Sequence, residues 1–270
     1  MKKVIVVPLY RSEMSAEETA SLRQCGKIFS SRDIVFAAPE KLDCQIQQQS
    51  ISSARIERFD DSYFTSISSY SRLLLTPEFY SRFSDYDYML IYQLDAWVFR
   101  DELDCWCEKG YDYIGAPFVI NFGQKEHIIV GNGGFSLRRI SAVLRVLSTP
   151  EKRMFPPVLL KDFCLSYIFA KRYLRAVIPL LRMIGLFPNQ RGTYLEQIRR
   201  DENNNEDMVF YFLSKKFTDD GLIMPDIEEA ARFALSALPG RFFQCTPFGA
   251  HAWMKDTYPF WKDFISVKRD

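Results

Sequence analysis

The sequence predicts an α/β domain with a mainly parallel central sheet and helices on both faces. Two observations predict it. Short apolar, β-branched runs alternate with helix-like stretches, and one such run, Tyr88–Asp95 (YMLIYQLD), closes on a lone carboxylate. Ligands of open parallel sheets gather beyond the carboxyl ends of the strands, so Asp95 stands where a charge can meet one.

In chain order, Val4–Tyr10 (VIVVPLY) is a β-branched strand that enters a loop at Pro8. Ser15–Phe29 has a Ser cap, an acidic first turn and helical spacing. Asp33–Pro39 and Ala54–Asp60 read as strands two and three. Ser69–Phe83 reads as a helix interrupted or restarted near Pro77, and Tyr111–Phe118 as a further strand. Val130–Leu147 reads as a glycine turn running into a helix. Asn203–Phe217 reads as an Asn-capped helix, and the aromatic end, FQCTPFGAHAWMKDTYPFW, as loop. No internal repeat or linker interrupts this pattern, so one domain over 1–270 is expected, with a helical insert at about 155–195.

Composition narrows the function classes. The chain has 270 residues, 47% hydrophobic and 26% charged, which is ordinary for a globular protein. Lys+Arg at 35 against Asp+Glu at 34 leaves a net charge of +1, without the basic excess of a nucleic-acid binder. The six cysteines form no metal-type pair of pairs, so they read as thiols of a reducing compartment. The opening MKKVIVVPLY is too short an apolar run for a signal peptide, and no run of about 18 apolar residues occurs. A cytoplasmic location is expected. The segment 161–192 interleaves Lys and Arg with apolar runs. It reads first as a helical lid over an acceptor cleft, and alternatively as a peripheral contact with the inner face of an anionic membrane.

Four short segments carry candidate chemistry. Gln93-Leu94-Asp95 puts a carboxylate at a strand tip, able either to ligate a hard divalent cation or to cap a loop. Gly131–Arg138 (GNGGFSLR) is glycine-rich but is neither a P-loop nor a GxGxxG fingerprint, leaving close ligand approach or a tight turn. Asn205-Glu206-Asp207 opens a helix, where acidic residues either stabilise the first turn or serve as a base. His251, in PFGAHAW, is either a core histidine or a metal ligand.

Together, SSYSRLLLTPEFYSRFSDYDYMLIYQLDAWVF, NGGFSLR, NED and the late His251 resemble the donor-site segment, glycine loop, xED motif and C-terminal histidine of GT-A glycosyltransferases. With GYDYIGAP and PFGAHAW, the order is similar to that of the DUF5672 group, over about Val4 to Trp261. The resemblance implies a Rossmann-like GT-A fold, with a nucleotide-sugar-binding half at 1–130 and an acceptor-binding, catalytic half at 131–270. It implies a nucleotide-sugar donor, with a UDP-sugar expected, and a glycan or lipid-linked glycan acceptor. Pro8, Leu9, Tyr10 and Arg11 would flank the base, and Tyr70 and Arg72 would touch base, ribose or phosphate. Gln93 and Asp95 would face the diphosphate, with Mn²⁺ or Mg²⁺ on Asp95 and His251. Asn132, Gly133, Gly134 and Trp253 would meet acceptor or sugar. Asp207, or else Glu206, would be the base of an inverting transfer. Gln93 stands where a DxD motif has its first Asp, which puts strict metal dependence in doubt. Two alternatives follow: a nucleotide-sugar-binding protein without catalysis, and a nucleotidyltransferase. The second needs a basic, glycine-rich loop after the first strand, and VVPLYRSEMSAEE supplies one Arg and no Gly.

Overall fold

The computed structural model describes residues 1–122, 125–148, 205–215, 220–254 and 256–265. The expected insert at 155–195 and the segment 161–192 lie outside the described residues. The main sheet contains β1 (Lys3–Pro8), β2 (Asp33–Pro39), β3 (Arg55–Phe59), β4 (Tyr88–Tyr92), β6 (Tyr113–Gly115) and β9 (Phe135–Arg139). Their order is β3-β2-β1-β4-β9-β6. The first four are mutually parallel, and β9 runs antiparallel between β4 and β6. The mainly parallel α/β sheet expected from the alternation is therefore present.

Strand alternation sorts the side chains onto two faces. Ile5, Val7, Phe36, Leu90 and Tyr92 pack with α1 (Ala16–Ile28) and α5 (Leu103–Glu108). Val4, Val6, Val35, Met89 and Ile91 pack with α3 (Ile67–Leu74), α4 (Pro77–Ser81), α6 (Ile140–Ser148) and the helix Glu206–Phe212. Burial on both faces explains why β4 reads as an unbroken apolar run. Ser15 closes a capping box with Glu18 at the start of α1. The break expected near Pro77 is real. α3 ends at Leu74, and Thr76 caps α4, with Pro77 in its first turn.

Four expectations need correction. Phe135–Arg139 is strand, not the run-in to a helix, which begins only at Ile140. Phe135 and Leu137 alternate with Ser136 and Arg138, the period-2 pattern of a strand, and burial of all four fixes it in the sheet. Tyr111–Phe118 is not one strand: β6 ends at Gly115, and Pro117 opens β7 (Pro117–Phe122), which forms a hairpin with β8 (Lys125–Val130). The helix expected over Asn203–Phe217 spans Glu206–Phe212. Asn205 is its N-cap by backbone only, without a side-chain cap bond. Finally, Gly249–His251 (β11) is strand, pairing antiparallel with β5 (Ala96–Val98) and parallel with β10 (Ala234–Leu235). Among the described residues no helix is long and apolar enough to cross a membrane.

Candidate active site

The β5–β11 pairing solves the first positioning problem. β4 ends at Tyr92, the chain turns through Gln93-Leu94-Asp95, and β5 follows at once. His251 lies opposite Ala96 in the ladder. Residues 156 positions apart (251 − 95) are thereby brought side by side, with His251 Nε2 3.2 Å from Asp95 Oδ1 and 3.2 Å from Gln93 Oε1. The other ring nitrogen, Nδ1, is 3.3 Å from Ser236 Oγ. Two oxygens face Nε2, which suits the tautomer that donates from that nitrogen and accepts from Ser236 at Nδ1; a cation bound here would take the place of the Nε2 proton.

The glycine loop joins this cluster to a second one. Gly134 O accepts from Gln93 N, and a Cβ built on Gly134 would stand 2.0 Å from His251 Nε2. One residue earlier, a Cβ on Gly133 would stand 2.3 Å from Glu206 Oε1. The space a side chain would need at these two glycines is taken by the protein's own carboxylate and imidazole. Gly133 and Gly134 are therefore needed to admit His251 and Glu206; the loop's one positive φ falls on Gly131, at 106°. We predict that Gly134→Ala displaces the imidazole and lowers any turnover about 100-fold with little loss of fold, measured as kcat beside a melting curve.

Glu206 is held from three sides. Its Oε2 accepts from Ser71 Oγ at 2.9 Å, its Oε1 from Arg138 Nη2 at 3.2 Å, and Gly133 closes the third side. Arg138 is fully buried. It donates also to Tyr80 OH (2.8 Å) and Ser136 Oγ (3.1 Å), and lies over the rings of Tyr113 and Phe210. Sequence reasoning gave Arg138 no role; its place in the alternating run Phe135-Ser136-Leu137-Arg138 was the available signal.

Asp207 differs from its neighbour. Its Oδ1 accepts from Met208 N at 2.7 Å. Burial, then the charge of Glu206, push its carboxyl up to about 7, against the opposing pull of the Met208 and Gly133 N–H groups and of Arg138. A carboxyl poised near neutrality suits a general base, and Glu206, already committed to Arg138 and Ser71, does not.

Of the expected base-flanking residues, Tyr10 and Arg11 are exposed. Pro8 and Leu9 are buried at the end of β1. Arg11 is turned to the surface in a bidentate pair with Glu18. Tyr10 is 40% exposed, yet its phenol is pushed well above its ordinary value by burial, then by Tyr70, Glu206 and Asp95. Tyr70 is buried edge-on to Tyr10 at 5.3 Å, and its hydroxyl has no hydrogen-bond partner among the described residues. Arg72 is half-buried and makes no ion pair among the described residues. Asn132 Oδ1 accepts weakly from Gly134 N at 3.4 Å. Trp253, expected against a sugar, is fully buried. Its ring meets Trp97 at 5.4 Å and its Nε1 donates to Ala96 O, so no face is open for stacking.

A divalent cation fits the first cluster on donor chemistry. Neighbouring ligands of an octahedral ion with bonds of about 2.1 Å stand about 3.0 Å apart, close to the 3.2 Å spacings around His251 Nε2. Among the described residues no group of three or more His, Cys, Asp or Glu side chains converges, so Gln93 would supply the third protein ligand.

Residues 53–251 match the family model described as "Protein of unknown function (DUF5672)". No curated protein matches the chain. Among solved structures, the galactosyltransferase LgtC, in complex with donor and acceptor sugar analogs, is similar over 94% of this chain and 91% of its own, at 12% identity and a TM-score of 0.47. Core-mannan synthase A (CmsA/Ktr4) from Aspergillus fumigatus, in its Mn/GDP form, is similar over 53% of this chain at 9% identity and a TM-score of 0.37; the match spans 60% of that chain. TarS 1–349 from S. aureus is similar over 53% of this chain and 48% of its own, at 12% identity and a TM-score of 0.35. Likenesses at these scores assign no activity.

Proposed function

The chain belongs to the DUF5672 family, whose description leaves function open, and on the geometry of these two side-chain clusters we propose that it is a glycosyltransferase. It moves a sugar, from a UDP-sugar as the expected donor, to a glycan or lipid-linked glycan acceptor, with inversion, in one domain over 1–270. A single observation carries the reading: the Gly133–Gly134 backbone seats Glu206 on one residue and His251 on the next, so an acidic pair and an Asp–Gln–His cluster meet at one loop.

Asp207 accepts the proton of the acceptor hydroxyl as that oxygen attacks the anomeric carbon, while the bond to the diphosphate breaks on the opposite face. Glu206, fixed by Arg138 and Ser71, holds the start of the helix in place and lifts the basicity of Asp207 by its charge. Tyr10 offers a ring to the base, and Arg72 a cation to phosphate. Asp95, Gln93 and His251 would hold Mn²⁺ or Mg²⁺. When bound, the cation neutralises charge on the leaving diphosphate.

A thermal-shift screen of UDP, GDP and CMP, each with and without Mn²⁺, tests donor class and metal use together. The expected result is a shift with UDP that Mn²⁺ enlarges and Asp95→Asn abolishes; no shift with any nucleotide sinks the reading. Gln93→Asp adds an anionic ligand, and we expect Mn²⁺ to bind on the order of tenfold more tightly, by calorimetry. The neutral Gln93 also supports a second reading, a nucleotide-sugar-binding protein without catalysis. Donor binding with neither hydrolysis nor transfer across an acceptor panel selects that one.

A further inference from the structure

We propose that a cavity behind the acid-bearing helix binds a single-chain alkyl amphiphile with an anionic head. The cavity measures about 390 Å³, within the range of small-molecule sites. Its walls are apolar, from Ile128–Val130 of β8 and from Leu222–Pro225. It backs onto the helix Glu206–Phe212 through Tyr211, and Val130 on its wall precedes by three residues the Gly133 that packs against Glu206.

Two polar groups distinguish it from a packing defect. Ser214 lines the cavity, is only 3% exposed, and its Oγ has no hydrogen-bond partner among the described residues. A buried hydroxyl left unpaired is destabilising, and a ligand head group reaching it removes that penalty. Beside it, Lys215 lines the mouth as an exposed cation with no ion pair among the described residues. The other charged residue of the wall, Asp226, caps the helix Ile227–Phe233 by accepting from Glu229 N. Apolar walls, an unpaired hydroxyl and a free ammonium at the rim together match an alkyl chain ending in phosphate or carboxylate.

The test is calorimetry of the full chain with decyl phosphate, decanoate and decanol, each below its micelle concentration and without any nucleotide. Saturable one-to-one binding is expected, weakening about fourfold for each methylene removed. Ser214→Ala should weaken all three ligands while leaving the melting temperature equal or higher. Lys215→Gln should weaken the two anions about threefold and leave decanol unchanged. Ile223→Trp, at a half-exposed position on the wall, should block entry. Preference for decyl phosphate points to a lipid phosphate, and preference for decanoate to a free acid. Absence of saturable binding, or binding indifferent to both Ser214→Ala and Ile223→Trp, overturns the site; decanol binding as tightly as the anions overturns the anionic head. No donor is present in any arm, so the result stands apart from the sugar-transfer reading.

Discussion

If the chain is the proposed glycosyltransferase, Asp207→Asn should transfer sugar about 10²–10⁴-fold more slowly than the native chain at pH 8, while donor affinity stays within about twofold. The amide keeps the shape and the Met208 contact of the carboxylate but accepts no proton. In the native chain, kcat should fall about tenfold per pH unit below about 7, because only the ionised carboxyl acts and burial beside Glu206 has raised it to that value. The sign for stability is opposite. A carboxyl raised from its ordinary 3.8 favours the folded state when protonated, so its contribution is whole below 3.8 and lost as pH rises through about 7. Asp207→Asn escapes that loss. At pH 8 it should melt at least about 2–4 °C higher than the native chain while being nearly inactive. Undiminished kcat, or an acid limb near pH 4, would remove Asp207 from the mechanism.

Arg138→Met destabilises the fold by about 3–5 kcal/mol, read from urea unfolding, because it leaves the buried Glu206 carboxylate without its cation. Tyr80 OH and Ser136 Oγ lose a donor in the same step. The companion Arg138→Met/Glu206→Gln removes the stranded charge and should recover part of the loss, the coupling that identifies a pair rather than two separate packing sites. A single-variant loss below about 1 kcal/mol would show that Arg138 merely fills space. The prediction bears on catalysis too, since Arg138 and Ser71 fix the helix turn from which Asp207 projects.

Much of the frame was legible because it rests on local rules. β4 announced itself by an apolar run buried on both faces, α1 by the Ser15–Glu18 box, and the restart at Pro77 by a ring that cannot continue a helix. β9 was not legible. Its alternation contains Arg138, and a charge reads as solvent-facing until partners for it are found at Tyr80, Ser136 and Glu206, up to 68 residues away. Trp253 misled in the opposite direction. Aromatic residues in a glycine-rich loop suit sugar stacking, and only the packing of Trp253 against Trp97 shows that its ring has no free face.

The order of residues by itself determined the alternating α/β pattern, the strand that delivers Asp95, and the helix start that carries Glu206 and Asp207. These follow from periodicity and capping, which act over a few residues. Tertiary structure alone decided that His251 meets Asp95 and Gln93, that Glu206 is spent on Arg138 while Asp207 is left near neutrality, and that Arg11 is diverted to Glu18. Those outcomes depend on desolvation and on ladder register, in this case Ala96 opposite His251, and neither quantity exists until distant segments have packed.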